Sequence, residues 1–241
     1  MKCAKIIVFY FGDRRSGSNN TPTSTLVPEI VQKEINIDKG MDTDTILVVN
    51  RTDTPADDQL DQYHNQSTKN GKMIVHKRAN VGLSFGGYLD AFNTFKHQYD
   101  YWFFVEDDVI VYKPEYVKAF VQELETTPST FIALSPVSSY VKPHCGGGCG
   151  LTSTQYMQEV YPVEKIQYTL EKWSKLEGYN VAANSLGEEN AEVEFTSYFR
   201  LANHSKFSPI CDNYAKGHTT QAHHTRSYDL TKLEFIYKIG N

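Results

Sequence analysis

Short runs of β-branched and aromatic residues alternate along this chain with stretches whose apolar residues recur at helical spacing. That pattern predicts an α/β sandwich with a mostly parallel central sheet. The first predicted strand is Ile6-Ile7-Val8-Phe9-Tyr10-Phe11, closed by Gly12-Asp13-Arg14-Arg15 and a polar loop through Thr25. A helix is predicted from about Leu26 to Ile37, a second strand over Thr45 to Asn50, and a third near Met73 to His76. Tyr88, Ala91, Phe92 and Phe95 then recur at helical spacing, with Ser84 as the predicted N-cap. Pro114 suits the first turn of a helix that buries Val117, Phe120, Val121 and Leu124. Phe131 to Leu134 reads as a further strand. In the second half, helices are predicted from Ser153, around Ile166, Leu170 and Trp173, and around Ala191, Phe195, Tyr198, Phe199 and Ala202.

Chemistry concentrates in Phe103-Phe104-Val105-Glu106-Asp107-Asp108-Val109-Ile110-Val111, where a buried strand runs into three acids and turns apolar again. Carboxylates crowded at a buried strand end repel one another and lose hydration, a cost that a bound cation removes. Mg²⁺ and Mn²⁺ take oxygen ligands and commonly hold a diphosphate against one or two carboxylates. A short acidic run is more often a solvated loop, but the apolar residues on both sides argue against that here.

The 241 residues suffice for one large domain or two small ones. A net charge of −5, with scattered Lys and Arg, argues against nucleic acid and against a polybasic membrane anchor. The apolar stretch Ile6 to Phe11 is too short for a signal peptide or a transmembrane span, and Cys3, Cys145, Cys149 and Cys211 are too sparse for a disulfide scaffold. A cytoplasmic protein with free thiols is the expectation. His144-Cys145-Gly146-Gly147-Gly148-Cys149-Gly150 reads as a flexible loop whose glycines let backbone amides approach a ligand. A zinc site from Cys211, His218, His223 and His224 matches no familiar spacing.

Several segments fall in a telling order. Arg78-Ala79-Asn80-Val81-Gly82 leads into a helix whose N-terminus favours a phosphate. The acid cluster follows, then the glycine-rich segment, then Glu188, Glu189, Glu192 and Glu194 with Arg200, and finally His223-His224-Thr225-Arg226. Together they resemble the GT-A class of nucleotide-sugar-dependent glycosyltransferases, most closely glycosyltransferase family 2, from the first strand to about Arg226. Glu106-Asp107-Asp108 stands where that family carries Asp-x-Asp, with Glu in place of the first Asp.

The resemblance implies a single GT-A domain over residues 1–241, with a nucleotide-sugar half (1–112) and an acceptor half (113–241). It implies Mn²⁺ or Mg²⁺ held by Asp108, Glu106 and His224, with Asp107 or Glu106 on the ribose or a metal-bound water. The donor would be a nucleoside-diphosphate sugar, UDP or GDP, and the acceptor a saccharide. Donor contacts would come from Tyr10, Phe11, Asp13, Arg14, Asn50, Asp53, Asn80, Gly82, Gly147 and Gly148. The family's catalytic base lies at the start of a late helix, six residues before an Arg. Glu194 with Arg200 reproduces that spacing, and Glu188, Glu189 and Glu192 are rivals. Two other readings stand beside this one. A sugar-phosphate nucleotidyltransferase would need more glycine after the first strand, and a non-catalytic carbohydrate-binding protein would use some of the 16 Tyr and two Trp as stacking surfaces.

Overall fold

The structure is a computed structural model that describes residues 1–12, 23–107, 109–111, 113–134, 137–138, 144–175, 191–203 and 236–238. In chain order its elements are β1 (Cys3–Tyr10), α1 (Thr23–Asn36), β2 (Thr43–Arg51), β3 (Met73–Ala79), α2 (Leu83–Phe95), β4 (Tyr101–Glu106) and β5 (Val109–Val111). There follow α3 (Tyr116–Thr126), β6 (Phe131–Ala133), β7 (Val137–Ser138), β8 (His144–Cys145), β9 (Gly150–Ser153), α4 (Thr154–Val160), α5 (Val163–Ser174), α6 (Ala191–Ser197), β10 (Leu201–Asn203) and β11 (Ile236–Lys238).

Parallel strands covered on both faces must be apolar on both, which is why the central runs lack alternation. Seven strands form one sheet in the order β10-β6-β9-β4-β1-β2-β3. All its pairings are parallel except those of β9, which runs antiparallel to β4 and β6. Successive side chains still point to opposite faces. Ile7, Phe9, Leu47, Val49, Phe103 and Val105 pack with α1 and α3 on one side. Ile6, Val8, Ile46, Val48, Trp102 and Phe104 pack with α2, α5 and α6 on the other.

β1 lies between β2 and β4. The chain therefore winds outward through β2 and β3, then returns across β1 to lay down β4. Such a reversal of strand order opens a crevice at the carboxyl ends of the strands. Val8 and Glu106 are register partners there, so the first acid of the cluster ends β4 at the crevice.

Several expectations need correction. Ser84 is not the cap of α2: Gly82 is, with φ 71° in the left-handed region, and Ser84 lies inside the first turn. α3 begins at Tyr116, after Glu115 at φ 60°, so Pro114 precedes the helix. The late helix stops at Ser197, and Ala202 belongs to β10, paired with Ile132. Ser153 does cap α4, its side chain accepting from the Tyr156 amide at 3.2 Å. None of the described helices is long and apolar enough to cross a membrane.

Candidate functional site

The crevice is built on Glu106. One of its carboxylate oxygens, Oε1, accepts from Ser84 Oγ at 3.3 Å, which links the end of β4 to the first turn of α2. The other, Oε2, lies only 2.6 Å from where a Cβ on Gly147 would sit. Asp107 follows in the turn and is buried. Asp108 lies outside the described residues, and β5 resumes at Val109.

The glycine-rich segment is an ordered, buried turn, which corrects the expectation of a flexible loop. Gly147 and Gly148 adopt φ 63° and 61°. Tyr88 Oη donates to the Gly147 carbonyl at 3.2 Å, and the Cys145 amide donates to Thr196 Oγ1 at 2.8 Å. Cys145 and Cys149 are buried thiols outside any disulfide; Cys145 Sγ donates to the Cys149 carbonyl at 2.9 Å, and Cys211 lies outside the described residues. The turn thereby locks α2 and α6 to the floor of the crevice.

Glu194, on α6, is 8% exposed. Its Oε2 accepts from the Trp173 indole at 2.9 Å and from Lys172 Nζ at 3.2 Å. The Trp173 ring also lies against Gly82, within 2.7 Å of where a Cβ would be. Trp173 therefore bridges the candidate base and the helix-opening turn. Sequence reading placed it only in the apolar stripe of α5; its indole N–H was the available signal, since a buried Trp usually finds an acceptor. Lys165 Nζ lies over Tyr198 at 3.8 Å and over Tyr161 at 4.9 Å, and burial pulls its pKa down against the raising effect of Glu194. Arg200 does not pair with Glu194: its Nε donates to the Pro128 carbonyl at 2.9 Å.

The ends of β1 and β2 form the rest of the rim. Tyr10 ends β1 and Phe11 and Gly12 follow it, all three half-buried, with Phe11 stacked against Phe9 at 6.2 Å. Asn50 is buried, and both ends of its amide are bonded within the protein. Asp53 is exposed, has φ 57°, and pairs with Arg51 at 2.6 Å. Its loop is organised by Asp57, which sequence reading missed. That buried carboxylate accepts from the amides of Thr52 and Asp53 and from Thr52 Oγ1. Burial pushes the Asp57 pKa up, but those hydrogen bonds outweigh it and hold it below the usual range. Asn80 is exposed just before Gly82.

The structure thus brings together Glu106, Asp107, Ser84, Gly82, Gly147, Gly148, Trp173 and Glu194. Asp13, Arg14, Glu188, Glu189 and His224 lie outside the described residues, as does the side chain of Glu192. Among the described residues no three His, Cys, Asp or Glu side chains cluster as a metal site. Two adjacent acids, Glu106 and Asp107, nevertheless offer only oxygen donors, which suits a hard divalent cation.

No family model and no curated protein matches the chain. Among solved structures, S. aureus TarS is similar at a TM-score of 0.49 and 12% identity, over 84% of this chain and 35% of that one. Its 1–349 fragment in complex with UDP-GlcNAc gives a TM-score of 0.49 at 11% identity, over 84% of this chain and 56% of that one. The fragment in complex with UDP gives 0.46 at 11% identity, over 84% and 60%. The chain therefore spans between about a third and three fifths of the length of these structures. A likeness of this size assigns no activity.

Proposed function

We propose that the chain is a metal-dependent glycosyltransferase that moves a sugar from a nucleoside-diphosphate donor, UDP or GDP, to a saccharide hydroxyl. The supporting observation is the place of Glu106. It ends β4, parallel to β1 at the strand-order reversal, bonded to Ser84 beneath the left-handed Gly82 turn and packed on Gly147. That corner is where open parallel sheets bind nucleotides, and a helix N-terminus beside it favours phosphate.

In this reading Asp108, Glu106 and His224 hold Mn²⁺ or Mg²⁺, and Asp107 reaches the ribose or a metal-bound water. The bound cation would neutralise the departing diphosphate. Residues 1–112 form the donor half and 113–241 the acceptor half. Glu194 removes the acceptor proton as the hydroxyl oxygen attacks the anomeric carbon from behind, so the product is inverted. Both of its described side-chain hydrogen bonds fall on Oε2, which leaves Oε1 as the oxygen that takes the proton. The test is nucleoside-diphosphate release from UDP- and GDP-sugars with Mn²⁺, with Mg²⁺ and with excess chelator. Release is expected only with metal and is expected to vanish in Asp108→Ala; full activity in chelator or in that variant defeats the proposal.

A further inference from the structure

We propose that Asn50 and Arg78 are positioning residues that set the turn opening α2, and that Asn50 makes no contact with the nucleotide. The functional consequence rests on the glycosyltransferase reading; the structural part does not.

Asn50 and Arg78 are register partners at the carboxyl ends of β2 and β3. Asn50 is 1% exposed and Arg78 is 9% exposed. Asn50 Oδ1 accepts from an Arg78 terminal nitrogen at 2.6 Å. Its Nδ2 donates to the Leu83 carbonyl at 3.0 Å, and the second terminal nitrogen of Arg78 donates to the Val81 carbonyl at 2.9 Å. The linked pair therefore grips the two carbonyls on either side of Gly82. Arg78 is anchored from α2 as well. Its Nε lies 3.7 Å from Asp90 Oδ2, and that oxygen is 2.6 Å from His76 Nε2.

What they hold is unusual backbone. Gly82 has φ 71° and Leu83 has φ 51°. A left-handed leucine is disfavoured and persists where surrounding contacts over-determine it. The next residue is Ser84, whose hydroxyl reaches Glu106. The turn thus sets the hydroxyl that meets the first acid of the crevice. Both ends of the Asn50 amide are engaged by Arg78 and Leu83, and at 1% exposure the side chain presents no open face to a base.

The test uses the full chain, with Asn50→Leu, which removes both hydrogen bonds at similar size, and the milder Arg78→Lys. Hydrogen exchange is read at the Gly86 amide, which donates to the Gly82 carbonyl at 2.9 Å, and at Gly87, against Ile46 to Val48 in the sheet. Affinity for UDP and for GDP is measured in parallel by calorimetry. Loss of these hydrogen bonds is expected to speed exchange at Gly86 and Gly87 by about tenfold or more, and to weaken the nucleotide by a similar factor. Exchange at Ile46 to Val48 is expected to change by less than about twofold, the mark of a local opening. Unchanged exchange at α2 overturns the proposal, and with weakened nucleotide it makes Asn50 a direct contact. Uniform acceleration across the sheet overturns it too, as a purely structural role. If the native protein binds neither nucleotide, the glycosyltransferase reading fails while the exchange data still decide the positioning role.

Discussion

Gly147 meets two demands at one position: a φ of 63° and no room for a Cβ beside Glu106 Oε2. A left-handed L-residue costs about 1–2 kcal/mol. In a chain of this size each kcal/mol lowers the melting temperature by roughly 2–4 °C. Gly147→Ala is expected to fold with a melting temperature lower by about 2–8 °C, and to lose metal-dependent nucleotide release by more than that stability change explains. Calorimetry and a release assay check this. Trp173→Phe keeps a ring over Gly82 and removes the indole hydrogen bond to the Glu194 carboxylate. A hydrogen bond to a charged group contributes about 1.5–3 kcal/mol, so kcat is expected to fall by roughly tenfold or more with donor KM little changed. Glu106, Gly82 and Gly147 were legible in the chain because acid after an apolar strand and glycine before a helix are local signals. Trp173 and Asp57 were not, since a partner contributed from elsewhere in the fold gives each its role.

Within the elements, the strongest departure from pattern is Lys5, a charge inside the apolar run of β1. It is fully buried and pairs with Glu34 of α1; Lys39 Nζ bonds the Glu34 carbonyl at 2.9 Å and lies 3.4 Å from Glu34 Oε2. Burial pushes the Glu34 pKa up, but the two lysines outweigh it and hold the carboxyl below its usual 4.5. Its stabilising contribution is therefore full above pH 4.5 and is lost as pH falls through the lower folded value. Glu34→Gln is expected to cost about 3–5 kcal/mol near neutral pH, because two buried cations lose their counter-charge. Its melting temperature is also expected to vary less with pH in acid than that of the native protein, which scanning calorimetry from pH 3 to 7 would read. The most regular helices and strands matched their periodicity. The late helix did not: Tyr198, Phe199 and Ala202 keep helical spacing, but the Arg200 amide donates to Thr130 Oγ1 at 2.8 Å and β10 pairs with β6. Pairing at the sheet edge overrode the local period.

Across the whole molecule, the chain's late residues return to the acid cluster. β11 pairs antiparallel with β5, the strand that follows the acids, with Lys238 opposite Val109. Deleting residues 236–241 removes that partner and leaves a strand edge open beside the site. We expect Mn²⁺-dependent nucleotide affinity to weaken by about tenfold, from loss of several ladder hydrogen bonds, while far-ultraviolet circular dichroism stays near that of the full chain. Unchanged affinity would show that β11 plays no part in the site. The α/β class and the strand-ending acids could be read from sequence alone, because burial on both faces of a parallel strand imposes an unbroken apolar run and its end is marked where charge begins. Strand order, the antiparallel β9, the Asn50–Arg78 grip and the Trp173–Glu194 contact were decided only by the tertiary structure. Each joins residues distant in the chain, and local spacing carries no record of which distant groups will meet.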